Sequence, residues 1–543
     1  MTEIELLTLS ASRRASEAER AWDLGPQRSA PPTPAAVAAR LDRRSLRSPA
    51  LLLLDASLPL PGRDLLERLL GGPADAWHAG LRLGLGGQPR LYDHVKPMAM
   101  FSVPLEPTVE ATSWHLSLRA LLVRREVLDQ LGGPAPCFET LTGAGLDLGL
   151  RWIRAGALVR HVPALVPATA PPDPPVTDED GIRLVARHHG RRWAGWALQR
   201  AVVTRTVRPS AAARLLHLAR TTPEAPLPHY RSPARLDGPL DRTVSVVLPT
   251  IDRYAYLEPL LHQLADQSHP PHQVLIVDQT PADRRRRDLT EIAPALAVTT
   301  FEQDEPGQCT ARNRAIRAAT GEFLLFIDDD DEIGPDLIAD HLRRLVDGID
   351  ASSGGVDDAT AGPPPVGFRH RRASDNFPTN NTMLRRAALE RSGLFDPVFD
   401  RGPRADHDLG MRLHLSGALL VYDPEVLVFH HHAPAGGLRT HGARSVTRAS
   451  SRRSLTQRNL PAVTQLYIGY RYGTARQRQE DLAMATITPI SGDGPTSRQV
   501  VRALLQLAVL PSTYQAIHRT DATARRLAAG AAPVPTLDGS THP

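Results

Sequence analysis

A chain of 543 residues, 41% hydrophobic and 23% charged, is too long for a single core and ordinary in composition, so two or three globular units are expected. Its 64 basic and 59 acidic residues leave a formal charge of +5, and Lys96 is the only lysine, so no nucleic-acid partner is expected; Arg284 to Arg287 and Arg369 to Arg372 read as solvated faces. With only Cys137 and Cys309, no apolar leader and no apolar run near the length of a spanning helix, a disulfide scaffold and an integral membrane protein are disfavoured, and the cytoplasm is the expected setting.

Proline-rich stretches punctuate the chain at Pro31 to Pro34, Pro167 to Gly181 and Pro223 to Arg242, the last reading as an interdomain linker. After it come a β-branched strand, TVSVVLPT (Thr243 to Thr250), a helical pattern, YLEPLLHQLADQ, and a second strand, VLIVD (Val274 to Asp278). The helix ARNRAIRAATG (Ala311 to Gly321) is expected to end at its glycine and lead into FLLFIDDDD, a third buried strand with four aspartates at its carboxyl end. This rhythm predicts a parallel α/β sheet, in which ligands sit beyond the carboxyl ends of the strands.

The chain also repeats itself. LVRREVLDQLGGPAPCF (Leu122 to Phe138) aligns with MLRRAALERSGLFDPVF (Met383 to Phe399) 261 positions on, and the same shift pairs LDLGLRWIRAGALVRHVP with HDLGMRLHLSGALLVYDP. Upstream, ALLLLDASLPLPGRDLL mirrors FLLFIDDDDEIGPDLI. Chance similarity of apolar patterns is the alternative. The copies differ where chemistry would sit: Asp328 pairs with Asp55, but the next three acids become Ala56, Ser57 and Leu58, and Asp406 becomes Gly145. Asp408 occurs in both copies, as Asp147 and Asp408, which argues for a structural role. The first 50 residues look too short for a second nucleotide-binding half.

Adjacent carboxylates repel, so a buried group of them persists only with a cation or with protons taken up; oxygen ligands favour Mg²⁺ or Mn²⁺, which bridge carboxylates to substrate phosphates. An exposed acidic turn is the bland alternative.

In order and spacing, VVLPTIDR, IVD, EPGQCTARNRAIRAATGEFLLFIDDDDEIGPDLI, NNTMLRR, GLFDPVFDRGPRADHDLGMRLHLSGA and VFHHHAPAGGLR resemble the family-2 glycosyltransferases of the GT-A fold. The resemblance covers Thr243 to Arg439, and the N-terminal half more faintly. It implies a GT-A nucleotide-diphospho-sugar transferase fold with a mixed, mainly parallel sheet, in four parts: residues 1–222 as a degenerate glycosyltransferase-like domain, 223–242 as linker, 243–439 as catalytic domain, and 440–543 as a helical extension with a disordered tail. It also implies that Pro249, Thr250, Arg253 and Asp278 contact the nucleoside, Asp278 at the base edge. Gln279 stands where a second acid is common, which leaves uridine, guanosine and thymidine open. Arg312 and Asn313 match an ARN motif, near a helix N-terminus whose free N–H groups favour a diphosphate. Asp328 and Asp330 match the DxD metal pair, with Asp329 and Asp331 as the rival register; His430 matches a third ligand of some members, with His431 and His432 as neighbours. Asp406 matches the general base, although Ala405 replaces the usual acid before it, and its other reading is a helix cap.

The implied activity is inverting transfer of a sugar from a nucleotide-diphosphate donor to a hydroxyl of a glycan or other acceptor, as in cell-surface polysaccharide synthesis, with Mn²⁺ or Mg²⁺ as cofactor. Gly436, Gly437 and Arg439 would form a mobile loop over the phosphates. A nucleotidyltransferase or phosphate-loop enzyme is disfavoured because no glycine-rich phosphate loop is present; a non-catalytic nucleotide-sugar-binding scaffold is the competing class. In the C-terminal region, Tyr467, Tyr470 and Tyr472 alternate with arginines, which suits a helix packed on the catalytic domain or, alternatively, a peripheral contact with the inner membrane face.

Overall fold

Two sheets, one in each half of the chain, organise the computed structural model, which describes residues 3–10, 22–41, 48–80, 90–95, 100–232, 237–357, 364–438, 458, 460–487, 496–539 and 541–542. The first sheet holds β1 (Ile4–Leu9), β2 (Gln27–Ala30), β3 (Ala50–Asp55), β4 (Ala76–Ala79), β5 (Ala111–Thr112), β6 (Ala120–Arg124) and β7 (Val159–His161), in the order β2-β1-β3-β6-β4-β7-β5. The second holds β8 (Val244–Thr250), β9 (Gln273–Asp278), β10 (Val298–Glu302), β11 (Phe323–Phe326), β12 (Asp331–Ile333), β13 (Ala351–Asp357), β14 (Arg372–Ala373), β15 (Thr382–Arg385) and β16 (Leu420–His430). Its order is β10-β9-β8-β11-β15-β13-β16-β12, with β14 beside β16.

Six strands of the two sheets run in the same order with the same senses. β2, β1 and β3 are mutually parallel, β6 is antiparallel to both β3 and β4, and β4 is parallel to β7. Likewise β9, β8 and β11 are parallel, β15 is antiparallel to β11 and β13, and β13 is parallel to β16. The expectation that the first 50 residues lack a strand pair is therefore corrected: IELLTL is a short, wholly buried strand in which even Glu5 and Thr8 are buried, so it shows no apolar–polar alternation. The second sheet is mixed and mainly parallel, as expected: β10, β9, β8 and β11 run parallel, as do β13 and β16, while β15, β12 and β14 pair antiparallel.

Other boundaries also move. The helix expected over Ala311 to Gly321 spans Gln308–Ala318, and Gly321 instead lets β11 begin close against β8, where a Cβ would lie 2.6 Å from Ser245 Oγ. The segment expected to be a linker is docked: Tyr230 is buried and its hydroxyl donates to Asp75 Oδ1 at 2.9 Å, as does that of Ser232. One cluster of buried apolar side chains runs through both halves, from Ile4 to Val428. At the junction Phe101 meets the ring of His414 at 5.1 Å, and Arg160 Nη2 donates to Gly417 O at 2.9 Å.

The C-terminal region is helical, with Val463–Tyr472, Ala475–Ile487 and Thr496–Ala529. Its tyrosines serve the interior: Tyr467 packs on Phe399, while the hydroxyls of Tyr470 and Tyr472 donate to Asp521 and Asp408. These contacts pack the helix on the rest of the chain, and no helix among the described residues is long and apolar enough to cross a membrane. The tail is not disordered from Ala528: Val534 is buried and Leu394 N donates to Pro535 O at 2.8 Å. The basic run at 284–287 is largely ion-paired, Arg285 with Glu302 and Asp304, and Arg286 with Glu258 and Asp288.

Candidate active site

β8 and β9 end at Thr250 and Asp278, and β11 ends at Phe326, just before the acidic run. The chain then turns through Asp328 into β12, which pairs antiparallel with β16 so that Asp331 faces His430. That register, linking residues 99 positions apart, carries a histidine to the acids. A cleft of about 860 Å³ opens there, lined by Pro249, Thr250, Arg253, Arg312, Asp328, Asp329 and Asp330 together with Asn380, Arg404, Asp406, Leu460 and Gln465.

The four aspartates are not equivalent. Asp328, Asp330 and His430 each offer a ligand atom, all within 4.8 Å of one another. Asp329 is engaged by Thr250 Oγ1 and Arg253 Nη1, both at 2.8 Å, and Asp331 accepts from Asp328 N at 2.9 Å and pairs with His430 Nδ1 at 2.8 Å. Asp330 also accepts from Arg253 Nη1 at 2.9 Å and Ala433 N at 2.8 Å, so the candidate ligand set rests on the approach of Asp328, Asp330 and His430 to one another. Two carboxylates and an imidazole suit Mn²⁺ or Mg²⁺, and a carboxylate on Nδ1 leaves Nε2 as the histidine's ligand atom, the usual outer-shell arrangement of metal-bound imidazole. His431 instead reaches Glu332 at 3.1 Å.

Burial sets the electrostatics. It raises the Asp328 carboxyl against the opposing pull of Arg312, and it pushes Asp329 up to about 6 despite Arg253. For His430, burial works against the imidazolium, but the hydrogen bond to Asp331 and the fields of Asp331, Asp330 and Asp328 outweigh it and raise the pKa.

Two expected contacts lie elsewhere. Asp278 is wholly buried, accepting from the Tyr254 hydroxyl at 2.7 Å and Thr280 N at 2.9 Å, and its neighbour Gln279 lines the cleft instead. Asn313 is a structural clamp, with Nδ2 donating to Phe395 O at 2.7 Å and Oδ1 accepting from Phe395 N at 2.9 Å. Nor are the amides at the start of its helix free, because Cys309 N and Thr310 N donate to Asp400 Oδ1 at 2.7 and 2.9 Å. What reaches the cleft from this helix is Arg312, whose Nη2 donates to Asp328 at 3.1 Å. Gly437 N donates to Ile251 O at 2.8 Å, latching the glycine pair beside Arg253; Arg439 lies outside the described residues.

Asp406 sits in the first turn of the helix Ala405–Leu415, whose N-cap is Arg404, so it is no cap; among the described residues its Oδ1 accepts its neighbour's amide, His407 N, at 2.8 Å. Asp408 is wholly buried, bound by Arg412, Arg471 and the Tyr472 hydroxyl. Its counterpart Asp147 is held alike by Arg187 and His188. In NNT, Asn380 faces the cleft and Asn381 is buried, bonding Gly355 O and Val426 O. The motifs gave no sign of Gln308, whose Nε2 pins Phe399 O and Gly402 O at 2.7 Å, or of Leu460 and Gln465, which come from the C-terminal region.

Residues 245–398 match the family model described as glycosyl transferase family 2. Over those residues the chain carries a family-2 glycosyltransferase domain. The glycosyltransferase domain has curated relatives. The putative teichuronic acid biosynthesis glycosyltransferase TuaG of Bacillus subtilis is 32% identical over 107 residues, 19% of this chain and 42% of TuaG. The O-antigen biosynthesis protein RfbC of Myxococcus xanthus is 27% identical over 351 residues, 57% of this chain and 25% of RfbC. The poly(ribitol-phosphate) β-N-acetylglucosaminyltransferase TarS of Staphylococcus aureus is 33% identical over 100 residues, 18% of each. This chain thus spans less than half the length of each of these relatives.

Proposed function

We propose that the protein is a metal-dependent, inverting glycosyltransferase of glycan or cell-surface polysaccharide synthesis, using a nucleotide-diphospho-sugar donor and a hydroxyl acceptor. The observation that carries this reading is the convergence of Asp328, Asp330 and His430 in a single cleft that Asp406 also lines, in a family-2 domain. Pro249, Thr250, Arg253 and Gln279 would cradle the nucleoside, and Arg312 the diphosphate, its Nε having no hydrogen-bond partner among the described residues. Asp328, Asp330 and His430 would hold Mn²⁺ or Mg²⁺, which when bound neutralises charge on the diphosphate.

Asp406 then takes the proton of the acceptor hydroxyl as its oxygen bonds to the anomeric carbon. The bond from that carbon to the diphosphate breaks, and the nucleoside diphosphate leaves with the electron pair. Direct displacement inverts the anomeric centre and needs one base. The N-terminal sheet, which shares the strand order but not the acids, is read as a degenerate copy that buttresses the base helix: a Cβ at Gly410 would lie 2.9 Å from Met100 Cε. The working division is 1–222, 223–242, 243–439 and 440–543, with the second segment a docked strap.

The test is a thermal-shift panel of UDP, GDP and dTDP and their sugars, each with Mn²⁺ and with chelator, followed by transfer assays of Asp406→Asn. A metal-dependent shift for one nucleotide with a transfer rate about 10²–10⁴-fold down in the variant supports the reading. No shift with any nucleotide, or full transfer by the variant, refutes it.

A further inference from the structure

The cleft carries a cation that the proposed chemistry leaves unused. Three arginines line the cleft, Arg253, Arg312 and Arg404. The first two are committed to the aspartates: Arg253 to Asp329 and Asp330 at 2.8 and 2.9 Å, and Arg312 to Asp328 at 3.1 Å. Arg404 is exposed and makes no side-chain hydrogen bond or ion pair with any described residue, Asp406 two positions on included.

The backbone beneath it is fixed in an unusual place. Arg404 has φ 87° and ψ 14°, the left-handed region that a side chain beyond glycine enters only at a cost. The loop leading to it is pinned from three directions. Gln308 Nε2 donates to Phe399 O and Gly402 O, and Asp400 caps the helix Gln308–Ala318 through Cys309 N and Thr310 N. Thr464 Oγ1, from the C-terminal helix, donates to Pro403 O at 2.9 Å. The guanidinium is therefore carried on a rigid, strained mount in the cleft that Asp406, Leu460 and Gln465 also line. A planar, permanently charged fork so placed recognises phosphate or carboxylate.

Resting on the glycosyltransferase reading above, we propose that Arg404 selects the acceptor by its charge: the acceptor is an anionic polyol or sugar, bearing phosphate or carboxylate, whose attacking hydroxyl lies toward Asp406. Leu460 and Gln465 would meet its uncharged face, giving the C-terminal region a share in specificity.

The test is calorimetric binding of two charged probes, sn-glycerol 3-phosphate and methyl β-D-glucuronide, and their neutral counterparts, glycerol and methyl β-D-glucoside. The full chain is used, its donor half saturated with Mn²⁺ and the nucleoside diphosphate that stabilises it best, so that probes cannot occupy the phosphate positions there. One charged probe should bind at least about tenfold more tightly than its neutral counterpart, and less so at high salt. Which of the two wins distinguishes phosphate from carboxylate. In Arg404→Gln the preference should collapse to about twofold or less, while Arg404→Lys keeps part of it. Arg404→Gly, which relieves the backbone, should melt no lower than the parent and yet lose the preference, which a merely structural arginine would not do. Equal binding of charged and neutral probes, no binding of either charged probe, or a preference that survives Arg404→Gln overturns the proposal. The nucleotide-dependent thermal shift, read on the same samples, separates that failure from a failure of the glycosyltransferase reading.

Discussion

Asp331→Asn tests the metal group through a residue outside it. Asp331 bridges two of the proposed ligands, accepting from Asp328 N at 2.9 Å and holding His430 Nδ1 at 2.8 Å. Asparagine keeps the shape but has one acceptor oxygen instead of two, so one of these contacts is lost and the histidine's proton is no longer fixed on Nδ1. Losing such a partner costs about 10–100-fold in metal affinity, or about 1.4–2.8 kcal/mol. Stability should move the other way with pH. Burial, with repulsion from Asp328, raises the Asp331 carboxyl above its ordinary value, so its stabilising protonated form is complete at low pH and lost as pH rises through the folded value. Asparagine cannot ionise, so without metal the melting temperature of the variant relative to the parent should rise between pH 5 and pH 8. Calorimetric titration of Mn²⁺ in the presence of nucleoside diphosphate reads the first effect, and a melting series in chelator the second. Unchanged Mn²⁺ affinity would refute the relay from Asp331 through His430, and a pH-independent difference in melting would refute the burial argument.

Three further outcomes are expected. Asp408→Ala strands Arg412 and Arg471 beside a buried void and should cost about 3–5 kcal/mol, seen as a large drop in melting temperature and earlier proteolysis within Val463–Tyr472. Burial holds His115 and His414 down to about 3 and His161 and His341 to about 4, so the stability of these neutral forms is complete above the unfolded value near 6.5 and lost as pH falls. The loss should be about 1 kcal/mol per histidine between pH 6.5 and 5.5, and a flat melting profile over that range would contradict it. Finally, the raised His430 must shed its proton to bind metal, so the thermal shift given by Mn²⁺ should shrink from pH 8 to pH 6; a constant shift would remove His430 from the ligand set.

Legibility in the sequence followed the range of the interactions. Val244–Thr250, Gln273–Asp278 and Phe323–Phe326 declare themselves because a strand buried on both faces must be a short apolar run, and the acids follow directly at its end. The 261-residue repeat pointed to a shared strand order because side-chain burial repeats wherever the topology does. β1 and β2 stayed hidden, being short and separated from β3 by stretches without a periodic pattern. Asp278 and Asn313 show the limit of motif reading: each stands at the end of an element facing the cleft, but only the packing around it decides which way its side chain is used.

By itself the sequence determined the acid-tipped parallel strands, the family-2 character of the second half and the neighbourhood of the site, because these depend on local periodicity and contiguous motifs. Tertiary structure alone decided the rest. The β12–β16 register brings His430 close to Asp328 and Asp330, residues about a hundred positions away. Asp400 closes the helix N-terminus against phosphate. The C-terminal region, more than fifty residues beyond Asp406, adds Leu460 and Gln465 to the cleft and holds the loop that carries Arg404 through Thr464. Each of these rests on contacts between residues far apart in the chain, whose pairing is set by packing and hydrogen-bond geometry that no local pattern encodes.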